Sequence, residues 1–582
     1  MSLFDIRIQA PIPSLRWLAE RVWSVEHAFE RAKAQARPEE DTRVRIFMVL
    51  CVFGLAFGLL TLGATRAALF SGKQTVSGPA AAAAASRADL VDRNGELIAT
   101  NLVHYGLYVD PDEVWDVDQT RQALLAAAPQ LNAQRLQKAL TADHVSYLLG
   151  GLTPQDKDRI HALGLPGISF AEEDKRVYPL GVSASHLVGF VDSGGQGIAG
   201  MERALDATIR QAGRSGQPVA LAIDLRVQGA LEDELSSAIV KLGAKGGVGI
   251  VTDTQTGEVL GMASYPDFDP AAPGRASDDA KLNRAASSVF EMGSTFKVFT
   301  LSAALDSGTA TLDSRVDVSS LRIGDRQIHD DEKSNRVMTL SEVFIHSSNI
   351  GTSKLALQMG GDRLVPYFDA FGLFRPAPIE LRESARPLAP RKWSETTVAS
   401  ASFGHAISVT PLQVAAGVGA VANGGVYVPL TLKKRVPGQP IVGRRVIKPE
   451  TSEAMLGLMR LNVMKGTGTK ANVPGLRVGG KTGSAEKAIG GHYERHKVVA
   501  SFASVFPTDG PVNQKRYLVL ILVDEPVGNA FSMGQRTAAW TAAPVAGRVI
   551  DRIAPFLGVR RVTDLPNLTP TPVPEVETEG EQ

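Results

Sequence analysis

Between Arg45 and Arg66 no residue is charged, and the stretch 46–64 is apolar almost throughout. At about 1.5 Å per helical residue its 19 positions match a hydrocarbon layer of about 30 Å, so the pattern predicts one transmembrane helix. Residues 1–45 precede it, far more than the short basic region of a signal peptide, and the span reads as a retained anchor. Arg31, Lys33, Arg37, Arg43 and Arg45 crowd its N-terminal flank against Arg66 and Lys73 on the other, which predicts a cytoplasmic N-terminus. Within that tail Leu15, Leu18, Val22 and Phe29 recur at helical spacing, fitting either a helix that meets a partner or the membrane, or a solvated helical tail. After the span, 65–86 includes six consecutive alanines and has no pattern to bury; it reads as a linker. Residues 87–215 mix short strand-like runs with helical ones such as Gln119–Ala127 and hold no catalytic cluster. Residues 216–560 carry strand runs at Gly247–Thr252, Glu258–Ala263 and Tyr517–Val523 with helical runs between them, an α+β pattern. The end, 561–582, is rich in proline and glutamate and reads as a disordered tail.

Composition narrows the chemistry. The chain of 582 residues exceeds what one core usually organises, and 62 basic against 61 acidic residues leave a formal charge of +1, with no field to attract nucleic acid. Cys51 is the only cysteine, so neither a disulfide nor a cysteine-based metal site forms within one chain.

Ser294-Thr295-Phe296-Lys297 places a hydroxyl and an amine three residues apart, on one side of a helix. A neutral lysine amine can take the proton of a serine hydroxyl when its surroundings depress its pKa, which makes serine a nucleophile without histidine. Alone, the motif is common on solvated helices. Ser347-Ser348-Asn349 follows 53 residues after Ser294, and Lys481-Thr482-Gly483-Ser484 comes later in the chain. In order and identity the three clusters resemble the active sites of penicillin-binding proteins and serine β-lactamases.

The resemblance extends along the chain. Arg87 to Gly95 is similar to the opening motif of class B penicillin-binding proteins; Tyr178-Pro179, His186 to Phe190 and Gly200-Met201-Glu202 resemble their pedestal. Thr256 to Leu260 and Pro266 to Pro270 resemble the start of their transpeptidase domain. Phe403 to Gln413 and Ala543-Pro544-Val545 are closer to the division type than to the elongation type, while Ala88, Met292 and Ser484 depart from the usual glycine, proline and threonine. The resemblance implies a single-pass inner-membrane D,D-transpeptidase: cytoplasmic tail, span, pedestal (dimerisation-like) module, then a periplasmic domain with helices flanking a mainly antiparallel sheet. Its substrates would be peptidoglycan stem peptides on strands derived from lipid-linked precursors, its inhibitors β-lactams, and its cofactors none. A SEDS-family glycosyltransferase and other division proteins would be its partners. Ser294 would attack the carbonyl between two D-alanines, with Lys297 as base; Ser347 would relay a proton to the leaving amine and Asn349 would hold the donor backbone. Lys481 would sit near the substrate carboxylate and lower the Lys297 pKa by like-charge repulsion, and Thr482 and Ser484 would bind that carboxylate. The N–H groups of Ser294 and Ser484 would form an oxyanion hole, and Gly483 would let substrate approach the strand. Outside the cytoplasm, without ATP, an acyl-enzyme conserves the free energy of the bond it breaks; amine attack then cross-links and water attack trims.

Other readings compete. Gly475 to Thr482 has P-loop spacing, but apolar Leu476 and Val478 lie inside the supposed loop. His492 and His496 flank Glu494 at helical spacing, without a third metal ligand, and fit better in a loop between late strands; His405 in its glycine-rich setting reads as structural. A β-lactamase needs neither anchor nor pedestal. An elongation-type transpeptidase, a D,D-carboxypeptidase and a catalytically weak scaffold of a division complex stay open.

Overall fold

The computed structural model describes residues 87–331, 336–490 and 492–562, with residue 27 and residues 49–50, 52–58 and 60–61. Among them no helix is long and apolar enough to cross a membrane. Of the expected span 46–64, the described residues are helical and expose Val49, Leu50, Phe53, Leu55, Phe57 and Leu60. The amphipathic pattern before it, the linker up to Ser86 and the tail beyond Val562 lie outside the described residues.

The first module is built on a long strand. Strand β1 (Leu90–Val91) pairs antiparallel with β2 (Leu97–Val109), whose outer part carries β3 (Ser146–Leu152) on one side and β4 (Ile168–Val177) on the other. Helices α1 (Val117–Ala127), α2 (Ala133–Leu140) and α3 (Pro154–His161) cover this end. Each begins at a side-chain cap, Asp116, Asn132 and Thr153 respectively, which satisfies an otherwise orphaned N–H. That is why α1 starts two residues before the apolar pattern does. Leu107, Val109, Leu124, Leu136, Leu148 and Ile160 form a core of their own. At the other end β1 pairs in parallel with β5 (Val219–Ala220), tying the start of this module to the start of the second.

A cluster of opposite charges lies beneath that joint. Glu202 is fully buried and accepts from Arg87 Nε at 3.1 Å and from Arg176 Nε at 2.6 Å. Arg87 also donates to Asp206, which Arg210 Nε meets at 2.9 Å.

The second module centres on a five-stranded, wholly antiparallel sheet. Its order is β8 (Gly479–Ile489), β9 (His492–Phe506), β10 (Tyr517–Asp524), β6 (Gly246–Asp253) and β7 (Val259–Tyr265). Strand β10 is buried on both faces, and its period of two feeds two cores. Tyr517, Val519, Ile521 and Val523 join the core of α4 (Leu225–Lys241) and, near the C-terminus, the helix Ala542–Ile553. Leu518, Leu520 and Leu522 face the larger core, which holds α5 (Lys297–Asp306), α6 (Asn349–Met359), α7 (Pro411–Ala422) and α8 (Pro449–Lys465). The expected α+β arrangement, helices flanking an antiparallel sheet, is what the chain adopts.

The strands also settle two rival readings. Lys481 and Thr482 lie inside β8, whereas a P-loop lysine opens a helix. His492, Glu494 and His496 lie on β9, not in a loop, and strand geometry removes the helical i, i+4 juxtaposition; no metal-holding group of side chains occurs among the described residues.

Candidate active site

Ser294 sits in a 3-10 turn, Gly293–Phe296, that runs directly into α5. Helix α5 is buried from Lys297 to Ala304, and Phe296 wedges edge-on between Phe299 and Phe368 with centroids 5.5 and 5.8 Å away. This anchors the turn in the large core while Ser294 itself stays half-exposed. Strand β8 is the sheet edge that faces the turn. A Cβ on Gly483 would come within 2.2 Å of Met292 O and 2.3 Å of Thr295 Oγ1. The glycine therefore seats the nucleophile turn against the strand. Gly293, at φ +51°, lies against the Ser484 peptide: a Cβ there would meet Ser484 O at 2.5 Å. Thr295 Oγ1 and Ser501 Oγ, 3.0 Å apart, pin the turn to the next strand.

The second motif closes the cleft from the opposite side. Ser347 adopts φ +60°, a left-handed conformation that costs about 1 kcal/mol or more for a residue with a Cβ, and Ser348 then caps α6 through Gly351 N at 2.9 Å. Ser347 Oγ accepts from both lysines, Lys297 Nζ at 3.1 Å and Lys481 Nζ at 3.0 Å. Lys297 also donates to Ser347 O and, at 2.7 Å, to Asn349 Oδ1. Thus Lys297 points toward the second motif, and among the described hydrogen bonds Ser294 Oγ has none. Asn349 is committed to the protein as well, its Nδ2 donating to His329 O at 2.9 Å.

Burial pulls the Lys297 amine down to about 7, against the opposing pull of Asp330 and Asp331. Burial, and after it the Lys297 charge, holds Lys481 well below the usual lysine range. Burial is thus the first cause of both shifts, and the like charge of the two neighbouring amines disfavours protonating both together. His405 has its ring 5.1 Å from Phe403 and 5.9 Å from Tyr493, and burial lowers it to about 4.

Three supports escape sequence reasoning. Asp330 braces the second motif, accepting from Ser348 Oγ at 2.6 Å and Ile350 N at 2.9 Å. Thr467 Oγ1 lies 2.6 Å from Thr482 Oγ1, and buried Asn462 holds both Thr467 N, at 3.1 Å, and Gly480 O, at 2.8 Å. Ser484 Oγ accepts from Ala538 N at 3.0 Å. None of these partners stands at a diagnostic spacing; the fold alone brings them together. The chain thus gathers Ser294, Lys297, Ser347, Asn349, Lys481, Thr482, Gly483 and Ser484 around one cleft from three separate segments.

The resemblance read from the motifs holds over most of the chain. Residues 247–548 match the penicillin binding protein transpeptidase domain and residues 82–217 the penicillin-binding protein dimerisation domain. The chain belongs to the class B penicillin-binding proteins. It is 55% identical over 568 residues, 96% of each chain, to the probable peptidoglycan D,D-transpeptidase FtsI of Caulobacter vibrioides. Identity to the peptidoglycan D,D-transpeptidase FtsI of Escherichia coli is 31% over 80% of this chain and 82% of that one. Penicillin binding protein 3 from Mycobacterium tuberculosis, solved in complex with aztreonam, superposes with a TM-score of 0.64 at 26% identity, covering 82% of this chain and 97% of that one.

Proposed function

We propose that this chain is the D,D-transpeptidase that cross-links peptidoglycan stem peptides during septal wall synthesis, through an acyl-enzyme on Ser294. The observation that carries the mechanism is the pair of buried lysines sharing the Ser347 hydroxyl beside an accessible serine. An amine lowered to about 7 is substantially neutral near neutrality and can take the Ser294 proton once a bound donor draws the two together. The Ser294 and Ser484 N–H groups, which the contact of Gly293 with the Ser484 peptide brings close, receive the oxyanion. Ser347, touching both amines, passes the proton to the departing D-alanine. The donor carboxylate meets Lys481, Thr482 and Ser484, and its charge favours the protonated form of Lys481, which in turn keeps Lys297 neutral. Asn349 holds Lys297 in the free protein and turns to the donor backbone when Lys297 turns to Ser294.

The same reading supplies the topology. Residues 1–45 are a cytoplasmic tail, 46–64 a single span of the inner membrane, 65–86 a linker, 87–215 a pedestal, 216–560 the periplasmic transpeptidase domain and 561–582 a tail. A β-lactam acylates Ser294 and stalls there. The membrane and pedestal segments meet a SEDS-family glycosyltransferase and other division proteins. The test is covalent labelling of membranes by a fluorescent penicillin. Wild type is expected to label and Ser294→Ala to lose the label with its melting temperature unchanged. No label on folded wild type would overturn the proposal and favour a scaffold.

A further inference from the structure

Acylation, as described, leaves one half-buried acidic group beside the nucleophile without a task. Glu291 precedes Ser294 by three residues and is half-buried at the cleft. Its Oε1 accepts from Ala406 N at 2.8 Å, and Tyr493 OH donates to both oxygens at 3.2 Å. Ala406 presents that N–H from φ +64°, a strained conformation for a residue with a Cβ. The charge of Arg326, on the hairpin strand Arg326–Ile328, acts on Glu291, Tyr493 and His405, and that of Asp331, five residues on, acts on His405, Lys297 and Lys481. Glu291 therefore borders the same cleft as the lysines, but from the side of Tyr493 and His405. Burial raises its carboxyl, and the Ala406 and Tyr493 hydrogen bonds, with the Arg326 charge, restrain that rise. Such a group is suited to bind a cation and to accept a proton.

The second half of transpeptidation needs that service. The acceptor is a primary amine that arrives as ammonium, whereas the acyl-enzyme is attacked only by the free amine. We propose that Glu291 is the base on the acceptor side, binding the ammonium of the incoming strand and taking one of its protons; this rests on the transpeptidase reading above. The ammonium gives one proton to the Glu291 carboxylate, and the amine nitrogen bonds to the acyl carbon. A second proton passes from that nitrogen through Lys297 and Ser347 to Ser294 Oγ as the carbon–oxygen bond breaks. The products are the amide and the free serine, and Glu291 returns its proton to water. The charge of Arg326, felt at Glu291, suits an acceptor with a carboxylate near its amine.

The experiment uses the full-length chain in detergent micelles, a D-alanyl thioester as donor, D-alanine as acceptor amine, and fluorescent penicillin to read acylation alone. Glu291→Gln, which keeps an acceptor for the Ala406 N–H, is expected to acylate within about threefold of wild type while its ratio of transfer to hydrolysis falls about tenfold or more. Tyr493→Phe removes a bond that lowers the Glu291 carboxyl, so the acid limb of the transfer-to-hydrolysis ratio is expected at higher pH. An unchanged transfer ratio in Glu291→Gln, an equal loss of acylation and transfer, or an unmoved limb in Tyr493→Phe would overturn the assignment. A wild type that hydrolyses the thioester and never transfers would instead contradict the transpeptidase reading itself.

Discussion

The pedestal and the transpeptidase domain both bury charge, and they do so in opposite ways. Beneath the pedestal joint, Glu202 lies between Arg87 and Arg176, and every charge touches its complement. Burial pushes the neighbouring Asp206 carboxyl up, yet Arg87, the Gly197 N–H and Arg210 together hold it at about 2. Asp206 therefore stays ionised throughout the neutral range and serves to shape the joint. In the cleft, Lys297 and Lys481 carry like charge, and among the described residues neither forms an ion pair; hydroxyl and carbonyl oxygens are their contacts. Desolvation is then uncompensated and appears as lowered pKa values. Buried charge with a partner builds structure; buried charge without one is poised for proton transfer.

The contrast can be broken at either end. Lys297→Ala removes the base, and the acylation rate measured with fluorescent penicillin is expected to fall about a thousandfold or more with the fold intact. An unchanged rate would remove Lys297 from that role. Glu202→Gln leaves two buried guanidinium groups short of a counter-charge; urea unfolding is expected to show a loss of about 3–5 kcal/mol, while acylation per folded molecule stays the same. A Glu202→Gln chain as stable as wild type would make the pedestal cluster dispensable. Thr467→Val removes the 2.6 Å partner of Thr482, and acylation is expected to slow about fivefold, matching a lost hydrogen bond of about 1 kcal/mol. The finest probe is Asp330→Asn. It removes a charge that raises Lys297, so the acid limb of the acylation profile is expected to move to lower pH, by less than one unit.

The three motifs were legible because each compresses its chemistry into a few neighbouring residues, and the antiparallel sheet because β6, β7 and β10 are short apolar runs. What stayed hidden depends on the third dimension. Asp330 supports Ser348 from 18 residues away, and Asn462 reaches Gly480 across the end of α8; neither separation is diagnostic. Gly483 was legible as a special position, but its contact with the nucleophile turn was not, since sequence alone does not tell which neighbour lies against it. The burial that lowers both lysines is likewise a property of the folded chain, to which spacing is blind. Glu291 looked like any glutamate before a motif until Ala406 and Tyr493 closed on it.

The most direct test of the central claim is the pH dependence of Ser294 acylation by a β-lactam in the wild-type chain. A neutral Lys297 is the active form, so the account predicts a rate that climbs with pH around a midpoint near 7 and then levels. A rate independent of pH between about 5 and 9, or one that climbs only near the ordinary lysine pKa of about 10.4, would contradict it.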